Sequence, residues 1–403
     1  MQADRLSPEI SLRISLPGAG GKQVSGPEWH GWEEVTSVRR LDSMSGSFTF
    51  SLSDRWAYGQ SRRPLAPGLF CQLLCDAQPV HDGFLDDKAA PQSAESHSMT
   101  VSGRDRSADL VDCSAVQSPG EWRGLNALQL AKILAGPFSV PVSMAGEPGP
   151  VFEVFKLEVG ESAFEAIDRI CKQRSLFATP DGKGGVRLSA LGSLRSNTAL
   201  TPENIKQFNP VTSFRERFSQ YIVLGQRKGD DMDYGPVVAQ VRGEALDKGV
   251  PRHRPLVIRA ENQVNPASAQ ERAEWECRVR AAASFTLSVT VPGWHDYGGQ
   301  LWQPNMLVPV NIPAEGIDKE MLIFSVTSTK NAQGSQSVLE LKDPASYERK
   351  PVQKAAAVAA GTQNALLRDA STTETPVDKA ESDYLQALQA NAQTLPIMFG
   401  GSS

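Results

Sequence analysis

Apolar and polar positions alternate through much of the N-terminal quarter of the chain. In residues 9–16, EISLRISL, an aliphatic side chain stands at every second position, which predicts a half-buried strand. The same alternation recurs, between turns that contain Gly or Pro, in residues 32–41, 48–52, 69–75 and 80–85. Short strands at roughly ten-residue spacing are typical of antiparallel barrels and sandwiches. Residues 1–106 are therefore predicted to form a first β-barrel domain.

The hydrophobic period changes to that of a helix after Cys113. Leucine and isoleucine recur at helical spacing from Leu125 to Leu134, and Gly136 followed by Pro137 predicts the end of that helix. A second helix is predicted from Ser162, with apolar positions on one face. Residues 177–188 have two glycine-containing pairs between apolar ends and predict a hairpin. Residues 107–206 are therefore predicted to be a small α/β domain.

A second β region follows, assigned to residues 207–228 and 285–346. In its first strand Tyr221 and Val223 alternate with other apolar residues, which predicts burial on both faces. Residues 229–284 are predicted to be an inserted α/β segment. That segment opens with a polar loop over 228–248 and contains the clearest helix, 266–283, with Pro in its first turn.

The predicted helix 266–283 carries a narrow apolar stripe of Trp275, Val279 and Ala282.

The C-terminal residues 347–403 are rich in Ala, Gln and Thr and lack the large apolar side chains that a core needs, so a flexible tail is predicted. A short amphipathic helix is predicted at 378–392, which we expect to dock on an adjoining component. The predicted fold class is a β-rich multidomain α+β chain with two β-barrel domains.

Composition and charge argue against nucleic-acid recognition, membrane insertion and a disulfide-stabilised fold. The chain has 403 residues, 40% hydrophobic and 22% charged, with a net charge of −5, which gives no basic footprint for nucleic-acid recognition. The sequence predicts no membrane span and no secretory signal. Five scattered cysteines do not suggest a disulfide framework. Cys71 and Cys75 are interpreted as small buried residues, and no metal or cofactor is predicted.

One stretch, 101–116, concentrates ionisable residues next to apolar ones. Its charged residues are Arg104, Asp105, Arg106, Asp109 and Asp112. Leu110 and Val111 stand between them and are predicted to be buried. Because an unpaired charge out of water is costly, the stretch is interpreted as a domain junction that local ion pairs hold together. A solvated charged turn is the alternative.

Three segments resemble baseplate hub proteins of Mu-like contractile-tailed phages. They are GRDRSADLVDCSAV at 103–116, FRERFSQYIVLG at 214–225 and GWHDYGGQLWQPN at 293–305. The resemblance covers most of residues 30–345, whereas the N-terminal 31 residues and the segment after Tyr347 depart from the family pattern. None of the three segments is a catalytic signature.

The resemblance implies a structural role in the virion tail rather than catalysis. It implies a homotrimeric ring in which each chain carries two tail-tube-like β-barrels, so that the ring has pseudo-sixfold symmetry. Such a ring joins a sixfold tail tube to a threefold central spike, contacts other baseplate wedge proteins, and lets DNA pass without sequence-specific binding. The charged residues of 104–112 are then interface candidates. So are Trp294, Trp302 and Pro304, at the closing end of the second barrel.

Two alternative functions remain open at this stage. A cell-wall hydrolase would need paired carboxylates. Asp86 and Asp87 are adjacent, but neighbours on a strand point to opposite faces. The His295–Asp296 pair lacks an identified nucleophile. A carbohydrate- or receptor-binding module would use Trp294 and Trp302 as a stacking platform.

Overall fold

A computed structural model describes residues 8–17, 23–53, 65–91, 98–225, 241–260 and 265–348 of the chain. The predicted helix at 378–392 and the rest of the tail lie outside this part. In the ranges that the structure describes, no helix is both long and apolar enough to cross a membrane.

The first β region is a set of antiparallel strands. They are β1 Ile10–Pro17, β2 Gln23–Trp29, β3 Glu34–Arg40, β4 Ser47–Ser53, β5 Phe70–Cys75, β6 Gln78–Ala89 and β7 Ser98–Asp105. The neighbour order is β3-β4-β7-β6-β5-β1-β2. Because side chains alternate between faces, the strands bury one apolar face in a common core that includes Leu12, Phe50 and Val101. The strands predicted from alternation are confirmed.

The next unit is mixed α/β. Its elements are α1 Ala108–Asp112, β8 Glu121–Trp122, α2 Ala127–Ala135, β9 Val142–Ala145, β10 Phe155–Lys156, α3 Ala163–Gln173, β11 Phe177–Pro180 and β12 Val186–Ser189. Capping boxes begin α2 and α3, with Asn126 and Ser162 as the N-caps. The helices pack on the sheet β11-β12-β9 around a second core. Both predicted helices and the β11–β12 hairpin are confirmed.

The remaining elements build the second β region and its insertion. They are β13 Leu194–Arg195, β14 Gln207–Thr212, β15 Gln220–Gly225, β16 Val241–Leu246, β17 Pro255–Arg259, α4 Pro266–Ala283, β18 Phe285–Pro292, β19 Met306–Ile312, β20 Ile317–Asn331 and β21 Gly334–Lys342. Short 3-10 turns occupy Gly136–Phe138, Pro313–Glu315 and Pro344–Tyr347. Strands β14, β18, β21, β20 and β19 enclose a third core.

The insertion departs from the sequence prediction in three ways. Strand β15 belongs to a separate sheet, β16-β15-β17, and is buried on one face only, since Leu224 is 41% exposed. A strand, β16, forms where the polar loop was predicted. Helix α4 has the predicted bounds, but it buries Ala269 and Ala273 rather than the predicted apolar stripe. A Cβ at Gly243 of β16 would stand 2.2 Å from the backbone of Ala269, so small residues set this packing.

The two β regions, each of which the sequence predicts to be a barrel domain, are joined in one sheet. Strand β3 pairs with β20 in antiparallel register, with Thr36 opposite Thr329 and Val38 opposite Thr327. This pairing joins the two regions into a 13-stranded sheet. Within the described residues neither region closes on itself by strand pairing. Each region nevertheless keeps its own hydrophobic core.

The loop after β18 interlocks the two regions. Trp294 and Leu301 follow a strand of the second region, yet they pack into the core of the first. The Trp294 indole also donates to the Thr329 carbonyl of β20 at 3.3 Å. The first core therefore includes side chains from a distant part of the chain, because its own strands end at Asp105 whereas Trp294 and Leu301 lie after β18.

Substitution of Trp294 by Ala is expected to lower the free energy of unfolding by about 3–5 kcal/mol, because it removes a large ring that is 1% exposed. Urea denaturation followed by circular dichroism measures this change. Val116→Ala, at a position that is 86% exposed, is the control and should change stability by less than about 0.5 kcal/mol. Equal stabilities of the two variants would contradict the interlock.

Candidate functional site: the junction and the hydroxyl face of the sheet

Arg104 joins the end of β7 to two carboxylates. Its Nε donates to Asp86 Oδ2 at 2.6 Å, and its Nη2 lies 2.8 Å from Asp112 Oδ2. These bonds, that to Asp112 first, raise the pKa of the Arg104 guanidinium above its usual value. The bond to Asp112 is the local ion pair that the sequence predicts. The bond to Asp86 crosses to the neighbouring strand β6.

Asp105 lies at the centre of a buried polar network. Its Oδ1 is 2.9 Å from His81 Nδ1, and the other ring nitrogen, Nε2, is 2.8 Å from Ser37 Oγ. The Gly46 amide donates to Asp105 Oδ2 at 2.7 Å. A Cβ at Gly46 would stand 2.5 Å from the His81 ring, so only glycine leaves room for this network.

Ser37, His81 and Asp105 are linked in the order of a hydrolase triad. All three side chains are buried, with His81 fully so. A substrate therefore has no path to the serine hydroxyl. Because buried polar groups are costly unless each is bonded, the network is a structural connection of β3, β6 and β7.

Arg39 places a buried charge beside this network, and we call the polar residues of β3 with their bonded partners the polar seam. It is buried on β3, and its Nη2 donates to the Trp302 carbonyl at 2.6 Å. Burial lowers the pKa of Arg39 to about 10, while the Asp105 carboxylate opposes that change. Arg39 thus keeps its charge near neutral pH and links β3 to the loop of the second region.

Arg106 ties the first β region to the α/β unit. Its Nη2 donates to Asp82 Oδ1 at 2.7 Å, its Nη1 donates to the Ser139 carbonyl at 3.4 Å, and its guanidinium lies 5.0 Å from the Phe70 ring centroid. The β11–β12 turn packs beside it, since a Cβ at Gly184 would lie 2.5 Å from Asp82 Oδ1. The glycines of that turn, predicted from the hairpin signal, therefore also permit a close contact between units.

The remaining residues of the stretch 101–116 differ in their exposure to solvent. Asp109 is exposed, and Asp112 pairs with Arg104. Leu110 is buried as predicted, but Val111 is 36% exposed, which corrects its predicted burial. Helix α1 causes the difference, because successive residues of a short helix point to different sides.

Trp294, Trp302 and Pro304 do not close one end of a second barrel together. Trp294 fills the first core and Trp302 fills the third. Pro304, two residues after Trp302 in the sequence, is also buried. Both indole rings are only 1% exposed. A sugar therefore cannot stack on them, and the carbohydrate-platform hypothesis loses its two residues.

The predicted acid–base candidates have structural partners. A bulge in β6 between Leu85 and Asp87 turns both Asp86 and Asp87 towards the face of Arg104 and Ser102, which corrects the expectation of opposite faces. Asp296 accepts from the Ser196 hydroxyl at 3.2 Å and the Gln300 amide at 2.8 Å. It therefore stabilises its own turn.

The face of the sheet that points away from the cores is rich in hydroxyl groups. We call it the hydroxyl face, and two rows of directly paired residues define it across both β regions. The first row is Thr290, Val338, Thr327, Val38, Ser47 and Arg104, and the second is Gln336, Thr329, Thr36, Thr49, Ser102 and Asp87. In the sequences of β3, β4, β18 and β20, the residues of this face alternate with the residues that point to the cores.

Sequence reasoning missed Ser37, Arg39 and His81. The sequence does contain one indication: Ser37 and Arg39 stand at the same alternate positions of β3 as the apolar Val35, and that face of the strand is buried. Polar residues at core-facing positions of a strand need partners, which the sequence does not identify. Their partner Asp105 did lie within the predicted stretch.

Four family models match successive parts of the chain, and the last two matches overlap at 265–275. They are described as Mu phage baseplate assembly protein GpP-like, N-terminal, at 22–105; baseplate hub protein gp44-like, second domain, at 107–190; tail protein NMB1110-like, third domain, at 217–275; and Mu phage baseplate assembly protein GpP, fourth domain, at 265–350.

Whole-chain comparisons agree with these matches. The baseplate hub protein gp44 of Escherichia phage Mu is 33% identical over 320 residues, which cover 77% of this chain and 84% of that protein. A 43 kDa tail protein of prophage MuSo2 from Shewanella oneidensis is similar in structure, with a TM-score of 0.71 and 28% identity over 85% of this chain and 100% of that one. A tail protein from Neisseria meningitidis MC58 has a TM-score of 0.65 and 25% identity over 86% and 100%.

Asp105→Ala is expected to lower the free energy of unfolding by about 3–5 kcal/mol, because it leaves the buried His81 and the nearby Arg39 charge without their carboxylate. Chemical denaturation measures the loss. Asp109→Ala, at an exposed position of the same stretch, is the matched control and should stay within about 0.5 kcal/mol of the parent. If Asp105→Ala were as stable as Asp109→Ala, the network would not hold the junction.

Proposed function

The chain belongs to the family of Mu-type baseplate hub proteins, and on this premise we propose that three copies form a ring with pseudo-sixfold symmetry around an ejection channel. The protein is a baseplate hub of a Mu-like phage tail and is located in the virion tail. Its relatives are named as baseplate and tail proteins, which supports a structural rather than an enzymatic role.

The pairing of β3 with β20 is the observation that carries the proposal. It holds two antiparallel β regions side by side within one chain, each with its own core. Three such chains would present six similar regions around an axis. A ring of this kind has threefold symmetry in sequence and an approximate sixfold symmetry in shape, which suits a position between a sixfold tube and a threefold spike.

The hydroxyl face is proposed to line the channel. Threonine and serine offer neutral polar groups to water, and phosphate affinity comes mainly from Lys and Arg contacts. The one basic residue of the two rows, Arg104, has Asp86 and Asp112 as acidic partners. Beyond the rows, Arg40 of β3 pairs with Asp42, and Lys342 of β21 lies 3.5 Å from Glu340. A lining of this type would let DNA pass without holding it.

The partners follow from this position. We propose that one rim of the ring binds the tail tube protein, that the other binds the central spike protein, and that the outer surface contacts wedge proteins of the baseplate. Strands β14 and β2 end the main strand path of the sheet and, within the described residues, carry backbone groups that pair with no further strand on one side. Edges of this kind are sites where another chain pairs, so they are the proposed contacts between copies.

Light scattering of the purified chain over a dilution series is expected to give three times the chain mass of 43.6 kDa. A contact between the unlike edges β14 and β2 is head to tail, and it closes into a ring when the rotation between copies allows it. Mixing with the tube or spike protein should stabilise the same trimer at lower concentration. A monomer at every concentration, with and without those partners, would contradict the ring.

Thr327→Lys is expected to raise the affinity of the ring for short double-stranded DNA and to steepen its salt dependence, because it adds one unpaired cation per chain to the channel. Fluorescence anisotropy at several salt concentrations measures both effects. Val159→Lys, at a fully exposed position of the α/β unit, adds the same charge elsewhere. Equal gains in DNA affinity for the two variants would show that the hydroxyl face does not line the channel.

A further inference from the structure

Three side chains from distant parts of the sequence converge beside the first core. Cys75 ends β5, Asp76 begins the turn to β6, and His295 belongs to the loop after β18. Their Sγ, carboxylate and imidazole donor atoms all lie within 4.8 Å of one another. Cys75 is fully buried and His295 nearly so, whereas the Asp76 side chain is 38% exposed. The cluster is therefore closed on the protein side and open to solvent beside Asp76.

The backbone fixes the position of the carboxylate. Asp76 and Ala77 adopt φ angles of +49° and +62°, the left-handed conformation of a two-residue turn between antiparallel strands. The Glu9 amide donates to Asp76 Oδ1 at 2.7 Å, and the Asp76 amide donates to the Glu9 carbonyl at 2.9 Å. These bonds hold one carboxylate oxygen in place and leave Oδ2 directed towards His295.

The imidazole is held by the interlocking loop. His295 pairs with Leu301 in a β-bridge, and its neighbour Trp294 is anchored in the first core. His295 Nδ1 lies 3.8 Å from Asp76 Oδ2. This separation is too long for a hydrogen bond. It is close to the roughly 3.4 Å that separates two ligands of one tetrahedral ion with metal–ligand bonds of about 2.1 Å.

We propose that Cys75, Asp76 and His295 bind a zinc-type divalent cation. Sulfur, imidazole nitrogen and carboxylate oxygen together are the donor set of zinc, whereas calcium and magnesium take oxygen ligands. Three protein ligands leave a fourth position for water at the exposed side of the cluster. The ion would connect the β5–β6 turn of the first region to the loop of the second, and so reinforce the interlock that Trp294 makes.

The test uses the full chain, stripped with a chelator and titrated with zinc. We expect one zinc ion per chain and a higher melting temperature in the zinc-loaded protein than in the stripped one. Cobalt in place of zinc should give the charge-transfer absorption of a thiolate ligand. Cys75→Ser and His295→Gln remove proposed ligands, so they should weaken zinc binding by at least about 100-fold, the upper end of the loss seen when a residue that only supports a ligand is changed. Cys71→Ser, a buried cysteine of the same strand outside the cluster, should bind as the parent does.

Asp76→Asn is the variant to compare if Cys75→Ser or His295→Gln fails to fold, because the Asp76 side chain is partly exposed. Its amide oxygen still accepts from the Glu9 amide, so the turn is retained, and zinc affinity should fall by about 10-fold. Zinc at well under one ion per chain would overturn the proposal. So would a cobalt spectrum without the thiolate band, or equal zinc affinity in Cys71→Ser and Asp76→Asn.

Discussion

The antiparallel pairing of β3 with β20 is the interaction on which the rest of the structure depends. It makes one sheet from two regions, and it brings polar residues of β3 between two hydrophobic cores. Ser37 bonds His81, Arg39 bonds the Trp302 carbonyl, and Ser328 bonds Ser337 at 2.8 Å on the adjoining strands. A slip of this register by one residue would place Arg39 on the hydroxyl face and Val38 in the polar seam, so the seam specifies the register.

The seam also connects the other units. Asp105, which ends β7, receives the bond from His81, while the next residue, Arg106, reaches Asp82 and the α/β unit. The loop that carries Trp294 and His295 crosses in the opposite direction, from the second region to the first core. Each unit is therefore held by contacts from another. Such contacts suit a structural hub protein of a phage baseplate.

Local features of this fold could be predicted from the sequence, whereas its long-range contacts could not. Helices α2 and α3 were predicted because their apolar periods lie within one segment, and α4 was predicted with Pro266 in its first turn, although its buried face was not. The charged stretch around Asp105 was predicted as a junction because acids and bases stand next to buried positions. The β3–β20 pairing and the approach of His295 to Cys75 join residues more than two hundred positions apart, and no local pattern encodes them. The bulge at Asp86 was missed for another reason, since one extra residue in β6 reverses the expected alternation.

Cryo-electron microscopy of the purified ring, viewed along its axis, tests the central claim most directly. The account predicts six β regions around the axis, in three pairs that are each joined by continuous strand density at β3 and β20, with the hydroxyl face directed to the open centre. Three isolated lobes, a break in the sheet between the two regions of a chain, or a hydroxyl face directed outward would contradict it.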